Sequence, residues 1–344
     1  MKIFFTTITQ NPAYETPIKR FEQLAQRDRF GEHSVAQSAD EADIVLFVDV
    51  HQQRRDWGLK ALRAHPLMRR FRGKCLIYDE RDRPFGSFPG LYVCLPKSVF
   101  SAQRHQACAY YWTQHEKKNA LPVDEADLLY SFLGAPSHPI RLRLAAVTHP
   151  RAVLEITSAQ RFDDENSDEA REHAEFRQQN FDNIMRRSKF ILCPRGHGTS
   201  SFRLFETMAY GRVPVVIGND WVAPKGPDWK ACSLRVREGD IARLPQLLEA
   251  HEPRFEEMAQ AARETYEAWF APDVMFHRFV EMGQNLLESG ATREDTPRPS
   301  FAQTLRTPFE QSDMAFKISD KSQKLIGKLQ GALQKKAPRA TPKS

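Results

Sequence analysis

A chain of 344 residues exceeds what one hydrophobic core usually serves, so two domains of roughly 130 to 160 residues are expected. Hydrophobic residues make up 41% of it, with 23 Phe and 5 Trp, which is enough apolar material to fold without disulfides or a structural metal. The formal charge is +6, but the run from Lys321 onward holds seven basic residues and no acid, so the body before it is close to neutral and a nucleic-acid partner is not indicated.

In chain order, "KIFFTT" reads as a first strand and "TPIKRFEQLAQRD" as a helix with Thr16 as N-cap and Pro17 at its first position. "DIVLFVDV" (Asp43 to Val50) is almost continuously apolar, as a strand covered on both faces should be. A helix over residues 56–70 and a strand "KCLIYDE" follow, and then the turn-rich "RDRPFGSFPG", the kind of loop where α/β proteins bind ligands. A second series starts near residue 125. It comprises strand "DLLYSFLGA", a helix near Ile140 to Ala146, strand "AVLEITS", a helix ending about Arg187, strand "KFILCP", a helix near Ser200 to Tyr210, strands "VPVVIG" and "CSLRVR", and helices from Asp240 onward.

This alternation predicts an α/β fold in two units: residues 1–122, residues 123–290, and a Pro-rich linker with a basic tail over 291–344. In the tail, Ile318, Leu325, Ile326, Leu329 and Leu333 recur near helical period among lysines, a pattern that suits an anionic membrane surface as well as a solvated tail. The five cysteines are odd in number, widely spaced and without CxxC, so neither a disulfide framework nor a zinc site is expected. The opening apolar run is too short for a signal-peptide core and no stretch reaches membrane-spanning length, so a cytoplasmic protein is expected, peripheral at the inner face of the membrane if the tail binds there. "DEAD" occurs twice before strands, but no GxxxxGK[ST] loop accompanies it, and a helicase is excluded.

The chemistry concentrates in "CPRGHGTSSFRLFETMAYG". A strand ending near Pro194 and a helix starting near Ser200 make Arg195 to Thr199 a loop whose free amides and positive dipole end suit an anion. Gly196 and Gly198 allow close backbone approach, and Arg195 and Arg203 supply charge-assisted donors for phosphate oxygens. Glu206, three residues after Arg203, is placed to accept from a ribose diol; the same spacing also makes an ordinary helix-surface ion pair. His197, between the two glycines, reads equally as a site residue or an exposed loop histidine.

The longer run "SKFILCPRGHGTSSFRLFETMAYGRVPVVIGNDWVAPKGPDW" resembles the signature of exostosin-like glycosyltransferases, family 47 in the carbohydrate-enzyme classification. Weaker similarity extends back through "LLYSFLGAPSHPIRLRL" and on to "LPQLLE", and the first 120 residues resemble the family only loosely. The resemblance implies a GT-B enzyme, with two Rossmann-like α/β domains facing across a cleft and a nucleoside diphosphate sugar held by the second. It implies inverting, metal-independent transfer to a saccharide or lipid-linked glycan, with no cofactor beyond the donor; because the sequence departs from the N-terminal membrane anchor typical of eukaryotic members, a bacterial-type role in capsule, lipopolysaccharide or exopolysaccharide assembly is expected.

By this likeness Gly134 opens the donor domain's first loop, with His138 and Arg141 as donor contacts or capping residues, and Thr199 and Ser200 complete the donor loop. Asn219, Asp220 and Trp221 follow a strand end near the base or sugar. Inverting transfer needs a base for the acceptor hydroxyl. At the strand ends of the first unit the candidates are Asp49, His51, Asp79, Glu80 and Asp82, with Asp79 and Asp49 preferred and capping or salt-bridge roles the alternative for each. A fucosyltransferase-like or retaining GT-B enzyme, or an inactive glycan-binding scaffold, are the competing functions.

Overall fold

The computed structural model describes residues 1–9, 16–50, 59–111, 121–157 and 168–293. His51, the acidic stretch at 162–166 and the basic tail therefore lie outside the described residues.

The first unit runs β1 (Lys2–Thr6), α1 (Thr16–Arg27), β2 (Ser34–Val35), β3 (Ile44–Phe47), α2 (Lys60–Ala64), α3 (Pro66–Arg70), β4 (Cys75–Asp79), β5 (Gly90–Tyr92) and β6 (His105–Ala107). Its strands form one sheet in the order β2-β1-β3-β4-β5-β6, parallel throughout. A parallel sheet needs cover on both faces, and every residue of β3 and β4 is buried, as the unbroken apolar runs require.

Two local features depart from the sequence reading. The single helix expected over 56–70 is divided: Pro66 lacks an N–H and disfavours helical ψ in its predecessor, so His65 turns out to φ −61°, ψ 134° and closes α2. His65 then starts α3 itself, its Nδ1 accepting from Leu67 N at 3.2 Å. Strands β5 and β6, of three residues each, are too short to show a period and were not expected.

The second unit runs β7 (Leu128–Gly134), α4 (Pro139–Leu144), β8 (Ala152–Ile156), α5 (Asp168–Arg187), β9 (Ser188–Pro194), α6 (Phe202–Ala209), β10 (Val213–Ile217), α7 (Trp229–Cys232), β11 (Leu234–Val236), α8 (Leu244–His251), α9 (Phe255–Trp269) and α10 (Pro272–Glu288). Its sheet, in the order β11-β10-β9-β7-β8, is again all parallel. The expected α/β architecture of two parallel sheets is present.

Helix α10 returns to the first sheet, where Phe279 packs 5.5 Å from Phe21 and 5.7 Å from Tyr78 between ring centroids. One apolar core consequently runs from Ile3, Ile44 and Tyr78 of the first unit to Ile191, Leu204 and Phe205 of the second. Three contacts bring the carboxyl ends of the two sheets together. Tyr110 stacks on Phe202 at 3.6 Å, Lys97 N donates to Asp220 O at 3.0 Å, and Asp82 lies against Gly198.

The chain passes from one unit to the next at Leu121 and Pro122, and the fully buried Arg212 holds that joint. Its guanidinium donates to the carbonyls of Leu121 (3.1 Å), Pro122 (2.7 Å), Met185 (3.2 Å) and Arg186 (2.7 Å). Burial lowers its pKa to about 10, still far above neutrality, so these carbonyls and that of Gly211, at 3.3 Å, face a permanent cation. No sequence signal marked this role beyond the position of Arg212 after the helix-ending Gly211.

Candidate active site

The loop Arg195 to Ser201 joins β9 to α6 at the carboxyl edge of the second sheet. Ser201 is the N-cap residue by backbone conformation (φ −145°, ψ 134°), but its side chain makes no capping bond. The first turn of α6 is thus left without a side-chain acceptor, and an anion is what its amides and dipole favour.

Three buried donors lie in that loop. Thr199 Oγ1 and Ser200 Oγ are buried, in residues only 4% and 6% exposed, and together with Arg195 Nε they have no hydrogen-bond partner among the described residues. Buried polar atoms are satisfied in the great majority of cases, so three unsatisfied donors in one loop mark a place built for an acceptor that is not protein.

The glycines have physical reasons that differ from simple ligand approach. A Cβ on Gly198 would stand 2.5 Å from Cys94 Sγ and 2.9 Å from Asp82 Oδ1, so this glycine lets the first unit close onto the donor loop. A Cβ on Gly134 would stand 2.9 Å from the Phe132 ring, and one on Gly196 would stand 3.2 Å from Ser137 Oγ and 3.3 Å from the Arg141 guanidinium. Arg141 itself brackets the loop: it donates to Arg195 O at 3.0 Å, Pro194 O at 3.1 Å and Ala135 O at 3.0 Å. Burial, then the charge of Arg203, lowers its pKa to about 10. Arg141 is therefore a clamp on the loop backbone.

His138 takes the capping role that the sequence left open. Its Nδ1 accepts from Ile140 N at 3.3 Å at the start of α4, and burial together with Arg195 and Arg141 drives its pKa down to about 4, so the ring is neutral. His197 lies half-buried in the loop, its carbonyl accepting from Arg195 Nη2 at 3.4 Å. Arg203 and Glu206 form an ion pair at 3.3 Å without hydrogen-bond alignment, and the guanidinium lies over the Phe181 ring at 4.2 Å. Both remain beside the loop, Glu206 at 7% exposure. Asn219 Oδ1 accepts from Glu238 N at 3.2 Å and Trp221 is buried against Trp229, so these two serve the fold.

Across from the loop, the two carboxylates preferred as bases are tied into the structure. Asp49 has no exposure; its Oδ1 accepts from Ile8 N at 2.8 Å and its Oδ2 from Thr9 N and Oγ1 at 3.3 and 3.1 Å. Asp79 is equally buried and grips Arg81, with Arg81 Nη2 at 2.7 Å and Nε at 3.0 and 3.2 Å. Both carboxylates are thus engaged by the fold, Asp49 by backbone and hydroxyl donors and Asp79 by the Arg81 guanidinium.

The next residues differ. Glu80 is half-buried and accepts from Tyr78 Oη at 3.2 Å; burial pushes its pKa up to about 7, the tyrosine bond opposing and the Asp79 charge reinforcing. Asp82 is exposed, with its carboxylate on the Gly198 side of the cleft. Among the described residues, no group of three or more His, Cys, Asp and Glu side chains is arranged to hold a metal ion. No helix among them is long and apolar enough to cross a membrane.

Residues 95–251, which contain the loop, its clamp and the whole second sheet, match the family model for the Exostosin GT47 domain. The matched stretch is thus similar to the exostosin GT47 family over somewhat less than half of the chain. This agrees with the resemblance read from its sequence. Over 102 residues the domain is 35% identical to an Exostosin-1 homolog of Caenorhabditis elegans, covering 29% of this chain and 27% of that protein. It is 28% identical over 135 residues to a probable glucuronosyltransferase of Oryza sativa subsp. japonica, covering 33% of this chain and 32% of that one. The match thus spans about a third or less of these relatives' length. A solved glycosyltransferase from Rickettsia africae superimposes with a TM-score of 0.43 at 10% identity, over 83% of this chain and 98% of that one.

Proposed function

We propose that this protein transfers a sugar, with inversion, from a nucleoside diphosphate donor to a saccharide or lipid-linked glycan acceptor in cell-surface polysaccharide synthesis. The observation that carries the reading is the trio of unsatisfied donors, Arg195 Nε, Thr199 Oγ1 and Ser200 Oγ, at the head of α6 inside the matched domain. A diphosphate supplies the acceptors they lack. Arg195, the Arg203 guanidinium and the α6 N-terminus would meet the charge that builds on the leaving diphosphate, without calling on a metal or other cofactor. Glu206 is the acceptor for the donor's ribose once the diphosphate competes for Arg203.

For the acceptor's proton, Glu80 is the base we assign. A pKa of about 7 is matched to proton transfer near neutrality, and the Tyr78 hydrogen bond orients one oxygen. Asp82 is the second reading, favoured by its exposure and its closeness to Gly198. Asp82 and Cys94 lie against the donor loop at Gly198. A basic tail beyond residue 293 would hold the enzyme at the cytoplasmic membrane face near a lipid-linked acceptor.

The test is a panel of nucleotide sugars screened for binding and for slow donor hydrolysis, with Ser200→Ala and Glu206→Ala alongside wild type. At least one nucleotide sugar should bind wild type and lose affinity in both variants. If wild type binds none, the reading fails; if both variants bind as wild type does, the loop has been misassigned. Loss of turnover in Glu80→Gln with turnover kept in Asp82→Asn decides the base.

A further inference from the structure

Tyr78 lies in β4, two residues before Glu80, and its ring is fully buried. Phe21 of α1 packs on it at 5.3 Å, Phe279 of α10 at 5.7 Å and Tyr111, beyond β6, at 5.4 Å between centroids. A ring wedged by three others in a close-packed interior keeps one position, so its hydroxyl is held in place. Tyr111 N donates to that hydroxyl at 2.9 Å, while Ala109 O and Glu80 Oε2 each lie 3.2 Å from it.

A phenol carries one hydrogen, and a backbone carbonyl can only accept. The hydrogen therefore goes either to Ala109 O or to Glu80, and the charge on Glu80 decides. A carboxylate is the stronger acceptor of the two, because a hydrogen bond to an ionised partner is roughly twice as strong as a neutral one. A neutral carboxyl group is a weaker acceptor than an amide carbonyl, so once Glu80 is protonated the hydrogen turns to Ala109 O. Rotation about one C–O bond connects the two positions, and no heavy atom has to move.

We propose that Tyr78 is the positioning residue of the base: its hydroxyl hydrogen points to Glu80 while Glu80 is ionised and to the Ala109 carbonyl once Glu80 has taken a proton. The role rests on the assignment of Glu80 as the base. In the transfer, the acceptor's O–H bond breaks and its proton goes to Glu80. The acceptor oxygen uses the freed electron pair to bond the anomeric carbon, and the diphosphate leaves with the pair of the broken glycosyl bond. Tyr78 gives up no proton; it keeps the base ionised near neutrality in a buried setting that otherwise favours the proton.

The other charged or titratable groups facing Glu80 are Asp79 and Asp82 on its own segment, Arg20 on α1, and Cys108, Tyr110 and Tyr111 after β6. The Arg20 charge favours ionisation of Glu80 and the two aspartates oppose it. Burial raises the pKa of Cys108, Tyr110 and Tyr111, which stay neutral while Glu80 titrates.

NMR on the full chain tests the exchange without a substrate. In wild type the Ala109 carbonyl carbon should move downfield as Glu80 gains its proton, the sign of a hydrogen bond gained, with a midpoint of about 7. In Glu80→Gln it should stay flat. A wild-type carbonyl that stays flat or moves upfield overturns the proposal, and this arm leaves Tyr78 untouched.

In Tyr78→Phe the Glu80 carboxyl should titrate about one pH unit higher, because its ionised form has lost a donor. The rise of kcat/KM with pH should move with it, a loss of about fivefold at pH 7 that is recovered at high pH. A merely structural role would lower kcat/KM at every pH and leave both midpoints in place, which also overturns the proposal. A carboxyl midpoint that moves while the turnover profile does not would keep the hydrogen exchange and remove Glu80 as the base.

Discussion

Replacing Glu80 by glutamine removes one ionisation and little else, so it reports on stability and catalysis separately. In the folded chain the carboxyl titrates at about 7, raised from 4.5 chiefly by burial. Between those two values the folded state keeps a proton that the unfolded state has lost. Stability therefore falls as pH rises through that window, the opposite of the usual behaviour of a salt-bridged carboxylate. Integrating the two titrations from about pH 5 to about pH 8 gives a loss of about 2.5 kcal/mol from this one side chain. Glu80→Gln does not titrate, so the wild type should lose about 2.5 kcal/mol relative to the variant across that range.

Urea unfolding at several pH values, each comparing the two proteins, measures that difference, and no knowledge of the substrate is needed. The second readout is turnover. A base must be ionised, so wild-type kcat/KM should rise with pH and level above about 7, and Glu80→Gln should lose both the rise and about 10²- to 10⁴-fold in rate. A pH-independent stability difference would refute the burial argument. A shifted stability difference with intact turnover would keep the argument and remove Glu80 from catalysis in favour of Asp82.

Thr199→Val removes a buried hydroxyl that has no protein partner, so stability should hold or rise by up to about 1 kcal/mol while nucleotide-sugar affinity drops several-fold; a clear loss of stability in denaturant would mean the hydroxyl is already satisfied. Gly198→Ala forces a Cβ to within 2.5 Å of Cys94 Sγ, and should cost about 1 to 3 kcal/mol by urea unfolding, much of it recovered in Gly198→Ala/Cys94→Ala. Additive effects of the two substitutions would contradict the contact between the units. Arg212→Ala strands five carbonyls at the joint and should destabilise by about 3 kcal/mol or more, and an equilibrium-unfolding loss below about 1 kcal/mol would show that the joint is held by other means.

The elements legible in the sequence are those with enough residues to show a pattern. β3, β4, β7, β9 and β10 are buried runs of four to seven residues and read plainly, whereas β5 and β6 have three residues and no period to read. The division of α2 from α3 was available locally, since Pro66 is written in the sequence and forces its predecessor out of the helix. The choice of base was not available in the same way. Asp79 and Glu80 sit side by side at one strand end, and what separates them is that Arg81 folds back onto the first while Tyr78 reaches the second.

The arginines make the same point more sharply. Read from sequence, an arginine beside a glycine-rich loop suggests a phosphate; in the folded chain Arg141 and Arg212 spend eight hydrogen bonds between them on backbone carbonyls. The cause is general. The strand ends, loops and helix ends they bracket leave carbonyls outside the ladders, and a guanidinium with five donors can collect several at once without becoming neutral. Those two clamps fix the loop and the joint, while Arg195, which gives Nη2 to one carbonyl of its own loop, and Arg203, which pairs with Glu206, lie in the same segment as the hydroxyls of Thr199 and Ser200 that have no partner among the described residues.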